Sequence, residues 1–177
     1  MRSRIITAIA VVGLAGFALA GCGQEQTANA PAEPPAATGG PAPGATADMS
    51  PEGNQKFLEE NKAKAGVTTT ASGLQYRVIK PGAGASPTAN DVVNVTYKGW
   101  LIDGTVFDET PPGQTATFPA GALIPGWVEA LQLMKEGDEW EIVIPSELGY
   151  GANGAGGVIP PNQTLVFNMA LVGVQKQ

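Results

Sequence analysis

The alternation of apolar and polar residues in four segments beyond residue 67 constrains the fold of this chain most strongly. Its apolar members are Leu74, Tyr76 and Val78; Val93, Val95 and Tyr97; Trp140, Ile142 and Ile144; and Leu165, Phe167, Met169 and Leu171. Successive side chains of a β-strand point to opposite faces, so each row predicts a strand with one apolar face. A slip of one residue would turn a whole row to solvent, so we expect a well-fixed register.

One helical segment interrupts these strands, from about Trp127 to Met134. Within it, Val128 and Leu131 recur at the spacing of a helix face. An antiparallel sheet with one apolar face and one helix lying on that face is an α+β domain. We expect this domain to fill residues 67–177.

A shorter helix is predicted ahead of the sheet, over residues 51–66. Ser50 is a suitable N-cap, and Gly66 is a residue at which a helix commonly ends. Only Phe57 and Leu58 are large apolar residues within this helix. We therefore expect it to be a poor dimerisation helix that docks weakly at best.

The N-terminus has the pattern of a targeting leader. A basic start precedes an apolar run over residues 5–20, which is too short to span a bilayer and predicts a signal peptide over residues 1–21. The sequence Leu-Ala-Gly-Cys that ends at Cys22 resembles a bacterial lipobox, which implies cleavage before Cys22 and acylation of that residue. Several acyl chains would anchor the protein stably in a membrane. The alternative is an ordinary secretory signal that is cut nearby and leaves a buried or free cysteine.

The stretch that follows Cys22, up to residue 50, is rich in Ala, Pro, Gly and Thr and has hardly any large apolar residue. Such a composition predicts a disordered tether, because it cannot bury enough surface to offset the entropy of the chain. Gly23 follows the cysteine, where an Asp would imply retention in the inner membrane. In a two-membrane bacterium we therefore expect an outer-membrane lipoprotein that faces the periplasm.

The residue counts exclude several classes of chemistry. Histidine is absent and Cys22 is the one cysteine, so the chain cannot form a Ser-His-Asp triad, a Cys-His pair, a His-ligated zinc site or an internal disulfide. Loss of Arg2 and Arg4 with the leader would leave 8 basic residues against 16 acidic ones, so we expect no nucleic-acid binding.

No cofactor or metal is expected either. Residues 149–154 match the glycine spacing of a dinucleotide-binding loop, but Pro160 and Pro161 follow instead of a helix. The acidic residues Asp108 and Glu109 lie close together, yet without a supporting histidine they do not predict a transition-metal site.

Aromatic residues recur at turns and strand ends, positions that are usually polar. They are Tyr97, Phe107, Phe118, Trp127, Tyr150 and Phe167. They could simply form the core, but Trp127 begins a helix directly after Ile124-Pro-Gly, where its ring can form a floor. Asp108 would be costly inside an apolar cleft unless it is paired. Together these residues predict a small apolar cleft with few polar groups rather than a site of covalent chemistry.

At this point the motifs resemble those of the FKBP-type peptidyl-prolyl cis-trans isomerases, over about residues 70–174. The matching segments are Val-Thr-Tyr-Lys-Gly, Thr-Val-Phe-Asp, Leu-Ile-Pro-Gly-Trp, Gly-Tyr-Gly, Val-Ile-Pro-Pro and Leu-Val-Phe. The resemblance implies a curved antiparallel sheet of about five strands that wraps around one short helix. The stretch from Ala71 to Arg77 resembles the entry to the catalytic domain of Mip-like members, whose long dimerising region is largely replaced here by the tether.

The resemblance also assigns residues to roles. It implies that Tyr97, Phe107, Asp108, Trp127, Tyr150 and Phe167 are catalytic, and that Phe118, Leu123, Ile124, Val158 and Ile159 bind substrate. The prolyl ring would rest on Trp127, while the backbone N–H of Ile124 and the hydroxyl of Tyr150 would hold substrate carbonyls. Asp108 would orient the substrate or interact with the rotating carbonyl, without acting as a general base.

The function implied is isomerisation of X-Pro bonds in extracytoplasmic proteins. Rotation about such a bond breaks no covalent bond, which suits a chain without histidine, and an apolar cleft should favour the less polar twisted amide. Proline-containing polypeptides and macrolide FKBP inhibitors are the expected partners. The alternative is a chaperone module that binds clients with little turnover. A ligand-binding lipoprotein of a transport system is disfavoured because such proteins usually need two large lobes.

Overall fold

The computed structural model of the protein describes residues 47–177. The predicted leader (1–21), Cys22 and most of the predicted tether (22–50) lie outside the described residues. The last residues of that tether do contact the domain, since Met49 packs against the hydrophobic core. Within residues 47–177, the helices are too short or too polar for any of them to cross a membrane.

The described residues form two α-helices and seven β-strands. Their bounds are α1 Pro51–Lys62, β1 Val67–Thr69, β2 Gln75–Lys80, β3 Val92–Leu101, β4 Val106–Glu109, β5 Ala116–Pro119, α2 Pro125–Leu133, β6 Glu139–Ile144 and β7 Leu165–Gln175. Short 3₁₀ turns cover Ala120–Ala122, Ser146–Leu148 and Gly151–Asn153.

All strand pairs are antiparallel, and they make one sheet of order β1-β2-β6-β7-β3-β4, with β5 also paired to β3. The first half of β3 pairs with β5 and the second half with β4, while β7 pairs with β3 from Val92 to Leu101. The α+β class is confirmed, but the sheet has seven strands instead of about five. The three strands beyond the four predicted rows are short: β1 has three residues and β4 and β5 have four, too few for an alternation to stand out.

The four predicted apolar rows lie on one face of the sheet, where most of their members are buried together with α2. The buried members are Leu74, Val93, Val95, Trp140, Ile142, Ile144, Leu165, Phe167, Met169 and Leu171. Val78 is an exception, since it is 44% exposed beside a register shift in the pairing of β2 with β6. Helix α2 begins two residues before the predicted Trp127, because Pro125 suits the first turn and the Ile124 carbonyl accepts the first helical hydrogen bonds.

Helix α1 ends at Lys62, short of the predicted Gly66, and Ser50 caps it by accepting a hydrogen bond from the Gly53 N–H at 3.1 Å. The helix does not dock weakly. Asn54 and Asn61 are both buried and donate or accept hydrogen bonds with the sheet and the segment before β7. The prediction of weak docking was wrong because it counted only apolar residues, whereas the contact is made by amides.

Candidate functional site

A cleft of about 370 Å³ opens between α2, the ends of several strands and the long connection from β6 to β7. Its lining residues are Tyr97, Phe107, Asp108, Phe118, Leu123, Ile124, Trp127, Tyr150, Ala155, Gly156, Val158, Ile159 and Phe167. All eleven residues that the sequence predicted for a cleft therefore line one space. Ala155 and Gly156 are additional lining residues that were not predicted.

The Trp127 ring lies at the centre of the aromatic cluster and is only 4% exposed. The Tyr97, Phe167 and Phe118 rings meet it at centroid distances of 5.0, 5.2 and 6.2 Å, with interplanar angles of 84°, 82° and 86°. Such edge-to-face pairs are favourable, because the positive edge of one ring meets the negative face of another. The rings thus hold one another in place and leave an apolar floor with fixed walls.

Phe107 places a further aromatic ring beside Phe167 in the cleft wall. It meets Phe167 edge to face, with centroids 5.4 Å apart and planes at 87°. The two rings come from β4 and β7, which both flank the second half of β3. The β3 residue that pairs with Phe167 is Gly99, which has no side chain to separate them.

Asp108 is the one carboxylate in the cleft lining, and it is paired. The Tyr97 hydroxyl donates a hydrogen bond to Asp108 Oδ2 at 2.6 Å. Burial raises the pKa of the Tyr97 hydroxyl above its usual value, and the hydrogen bond to Asp108 raises it further. The predicted cost of an unpaired carboxylate therefore does not arise, and Tyr97 remains a hydrogen-bond donor at neutral pH.

Thr110 fixes the backbone of Tyr97 from the neighbouring segment. Its hydroxyl oxygen accepts from the Tyr97 N–H at 2.8 Å and its hydroxyl group donates to the Tyr97 carbonyl at 3.0 Å. The Thr110 N–H also donates to that carbonyl, at 2.9 Å. A threonine thus extends the pairing of β3 with β4 past the end of β4 and keeps the Tyr97 ring directed at the cleft.

Ile124 brings a backbone group to the cleft. As the N-cap of α2, its carbonyl accepts from the N–H groups of Trp127 and Val128, at 2.9 and 3.1 Å. Its own N–H donates to no backbone carbonyl within the part of the chain that the structure describes. A donor at the edge of an apolar cleft suits a ligand carbonyl.

A tight turn presents the residues at the opposite wall. The Val158 N–H donates to the Ala155 carbonyl at 3.2 Å, and Gly156 and Gly157 have φ angles of 59° and 72°. Two positive φ angles in succession define a type I′ turn, for which Gly-Gly is a strong sequence signal. That signal could have identified Ala155 and Gly156. The turn leaves Ile159 buried and Val158 53% exposed at the rim.

The arrangement can hold an apolar ring and a neutral amide. It offers aromatic surfaces, one oriented carboxylate, the Tyr150 hydroxyl and a backbone N–H, but its lining residues include no cysteine, serine or threonine that could act as a nucleophile. Residues 47–177 contain no group of three acidic, cysteine or histidine side chains that could hold a metal ion. Tyr150 lines the cleft and is 39% exposed.

Comparisons with known proteins agree with this geometry. Residues 84–172 match the family model for FKBP-type peptidyl-prolyl cis-trans isomerase, and residues 42–78 match that for the domain amino terminal to it. Peptidyl-prolyl cis-trans isomerase Mip of Coxiella burnetii is 53% identical over 127 residues, which are 71% of this chain and 55% of that protein. Outer membrane protein MIP of Legionella longbeachae is 51% identical over 121 residues, 68% of this chain and 52% of that protein.

A solved structure shares the fold. The crystal structure of a peptidyl-prolyl cis-trans isomerase from Pseudomonas syringae pv. tomato superposes with a TM-score of 0.67 at 41% identity, covering 71% of this chain and 92% of that one. The curated relatives are longer, and the chain spans just over half of their length.

Proposed function

The chain belongs to the FKBP-type peptidyl-prolyl cis-trans isomerase family, and on that premise we propose that it accelerates the rotation of X-Pro bonds in extracytoplasmic polypeptides. The observation that carries the proposal is the cleft itself. Edge-to-face rings surround a buried Trp127, and the one carboxylate, Asp108, is held by the Tyr97 hydroxyl. This is a site for binding and orienting a neutral group.

The chemistry requires no nucleophile. An X-Pro bond rotates over a barrier of about 20 kcal/mol, which takes tens of seconds or more without a catalyst. The planar amide has a charge-separated resonance form that water favours, so transfer into an apolar cleft favours the twisted transition state. The prolyl ring rests on Trp127, and Tyr97, Phe107, Val158, Ile159 and Phe167 form the walls.

Three polar groups orient the amide. The Ile124 N–H and the Tyr150 hydroxyl donate to carbonyls of the substrate, and each such bond contributes about 1 kcal/mol net. Asp108 orients the substrate near the rotating carbonyl. It does not serve as a base, because no proton is transferred in the reaction.

Partners and location follow from the same proposal. Proline-containing polypeptides are the substrates, and macrolide inhibitors of the family bind the cleft through its apolar floor. A lipidated Cys22 anchors the protein in a membrane with its folded part facing the periplasm. A relative is named outer membrane protein MIP, which supports the outer membrane as the location.

The test uses residues 47–177 and cis-to-trans kinetics on a short X-Pro peptide. We expect catalysis by the parent and a loss of at least tenfold in Asp108→Ala and Phe167→Ala, since each removes a cleft group. Glu109→Ala is the control for the first variant, because Glu109 is the next residue and pairs with Lys98 outside the cleft lining. Val166→Ala is the control for the second, because Val166 is buried on the opposite face of β7.

The outcomes separate the candidate functions. Catalysis that falls in the cleft variants and persists in both controls supports an isomerase. A folded parent that binds an unfolded polypeptide without catalysing rotation would instead establish a client-binding chaperone module.

A further inference from the structure

A cluster of buried amides lies outside the cleft, on the outer face of the sheet. Asn54 and Asn61 on α1, Gln75 on β2 and Gln163 before β7 are between 3% and 6% exposed. Burying an amide is costly unless its polar atoms are bonded, so contacts between such groups are specific. These four residues form two separate pairs, one at each end of α1.

The first pair joins α1 to the segment before β7. The Thr164 N–H donates to Asn54 Oδ1 at 2.8 Å, and Asn54 Nδ2 donates to Gln163 Oε1 at 3.2 Å. Asn54 Nδ2 also donates to the carbonyls of Met49 and Ser50, at 3.2 and 3.0 Å. One side chain therefore binds the start of α1 and a segment 110 residues away in sequence.

Gln163 completes this connection. Its Nε2 donates to the carbonyls of Met49 and Pro161, at 3.0 and 3.1 Å. We call the set formed by Met49, Asn54, Gln163 and Thr164 the amide clamp. It binds the last residues of the β6–β7 connection, directly before the chain re-enters the sheet at Leu165.

The connection held by the clamp carries part of the cleft. It runs over residues 145–164 and presents Tyr150, Val158 and Ile159. Its glycines at 151, 154, 156 and 157 all have positive φ, and Asn162 also has a φ of 59°. Glycine-rich backbone has high conformational entropy when it is free, so the position of its ends decides how well it is ordered.

A hydrogen bond within the β6–β7 connection links its clamped end to the part that lines the cleft. The Asn162 N–H donates to the Gly151 carbonyl at 2.8 Å, so the clamped end holds the residue that follows Tyr150. Phe167 lies three residues beyond Thr164 on β7. The segment that Asn54 binds therefore connects two parts of the cleft lining: the β6–β7 connection before it and Phe167 of β7 after it.

We propose that Asn54 is a positioning residue for the cleft: from α1 it fixes the end of the β6–β7 connection, and so orders Tyr150, Val158 and Ile159 for the substrate. The expected effect on kcat/KM rests on the proposed isomerase function, whereas the expected effect on the order of the β6–β7 connection does not. The N-terminal helix is then part of the catalytic unit, although none of its residues lines the cleft.

The second amide pair supplies a matched control. Asn61 lies on the same helix, is equally buried, and donates to Gln75 Oε1 at 2.8 Å, while Gln75 Nε2 donates to the Leu58 carbonyl at 2.9 Å. These bonds join α1 to β2, which contributes nothing to the cleft lining. Asn61→Ala thus removes a comparable contact of the helix without touching the β6–β7 connection.

The experiment compares Asn54→Ala, Gln163→Ala and Asn61→Ala in the full-length chain, at a temperature at which all variants are folded. Amide hydrogen exchange over residues 149–161 and kcat/KM on a short X-Pro peptide are both measured. We expect Asn54→Ala and Gln163→Ala to accelerate exchange in this segment and to lower kcat/KM about five- to tenfold, as loss of buried hydrogen bonds predicts. We expect Asn61→Ala to leave both at the parent values, while its unfolding temperature falls like that of Asn54→Ala.

Two results would overturn the proposal. In the first, Asn54→Ala leaves exchange over residues 149–161 unchanged. In the second, Asn61→Ala lowers kcat/KM as much as Asn54→Ala does, which would give the helix a general stabilising role only. A parent without catalysis would overturn the proposed function instead, and the exchange data alone would then decide whether the clamp orders the connection.

Discussion

Gly99 and Phe167 are direct partners across β3 and β7, and the space beside Gly99 is filled by aromatic rings. A Cβ atom at Gly99 would lie 2.6 Å from Cε1 of Phe167 and 2.7 Å from Cζ of Phe107. These distances are too short for any real contact between carbon atoms. The absence of a side chain at this one strand position therefore permits the two rings to meet in the cleft wall.

Gly99→Ala should consequently damage the cleft. The added methyl group must displace one of the two rings, which we expect to cost about 1–3 kcal/mol of unfolding free energy and to lower kcat/KM at least several-fold. Gly173→Ala is the control on β7, because a Cβ there comes no closer than 3.4 Å, to Asn94 Nδ2. The unfolding free energy is measured by chemical denaturation and kcat/KM by peptide kinetics, on both variants. Equal losses in Gly99→Ala and Gly173→Ala would contradict the claim that Gly99 makes room for the two rings.

Tyr97→Phe removes one hydroxyl and keeps the ring. We expect kcat/KM to fall roughly three- to tenfold, because Asp108 loses the hydrogen bond that orients it. Tyr76→Phe is the control, since Tyr76 stacks on Trp140 at a centroid distance of 4.3 Å and does not line the cleft. If Tyr97→Phe has the same kcat/KM as the parent, the hydrogen bond that orients Asp108 does not contribute to catalysis.

The raised pKa of Tyr97 predicts a decline of stability in alkali. The folded state favours the neutral phenol, so its stabilising contribution is complete below the ordinary pKa of 10 and is lost as the pH rises above that value toward the folded pKa. Phenolate absorbance of the folded parent should contain a step above pH 10 that Tyr97→Phe lacks. If the step that Tyr97→Phe removes lies at the ordinary pKa of 10, the Tyr97 hydroxyl is not protected by burial and by Asp108.

The lowered pKa of Asp91 predicts a loss of stability in acid. The side chain of Lys176 and then the N–H of Thr88 lower the pKa of this carboxyl, with hydrogen bonds of 2.9 and 2.7 Å. Its stabilising contribution is therefore present above the ordinary pKa of 3.8 and is lost as the pH falls through the lower folded pKa.

Asp91→Asn should unfold at a lower temperature than the parent at pH 6, and the gap should narrow below pH 4. Thermal unfolding between pH 6 and pH 2 measures this. Lys176→Met is the companion variant and should show a smaller gap of the same sign, because the bonds from Thr88 remain. A gap that stays constant over this range would mean that the charge of Asp91 contributes nothing.

The parts of the fold that were predicted correctly share a physical basis in the apolar pattern. In β3, β6 and β7 large apolar residues recur at every second position over five or more residues, which determines both the type of element and its inward face. The rings of the cleft stood out because Trp127 and Tyr150 occur at turns and helix starts, where a core residue is less expected. The structure brings them together as the motifs implied.

The features that the sequence did not predict, the buried amides and the role of Gly99, do not depend on an apolar pattern. Asn54 and Asn61 look like ordinary surface residues of a polar helix, and only tertiary contacts show that their amides are buried. Gly99 looks like any glycine in a strand until the rings beside it are placed. Such features arise from pairs of residues far apart in sequence, which no local pattern contains.

The position of β7 has a consequence for the timing of assembly. This strand lies between β6 and β3, and it is the last element of the described sheet to be synthesised. Without residues 165–175, no strand pairing joins β3, β4 and β5 to β1, β2 and β6. Contacts between residues distant in sequence form slowly, and here they depend on the final stretch of the sheet. The complete cleft, which includes Phe167 of β7, therefore forms only after this last strand has been synthesised.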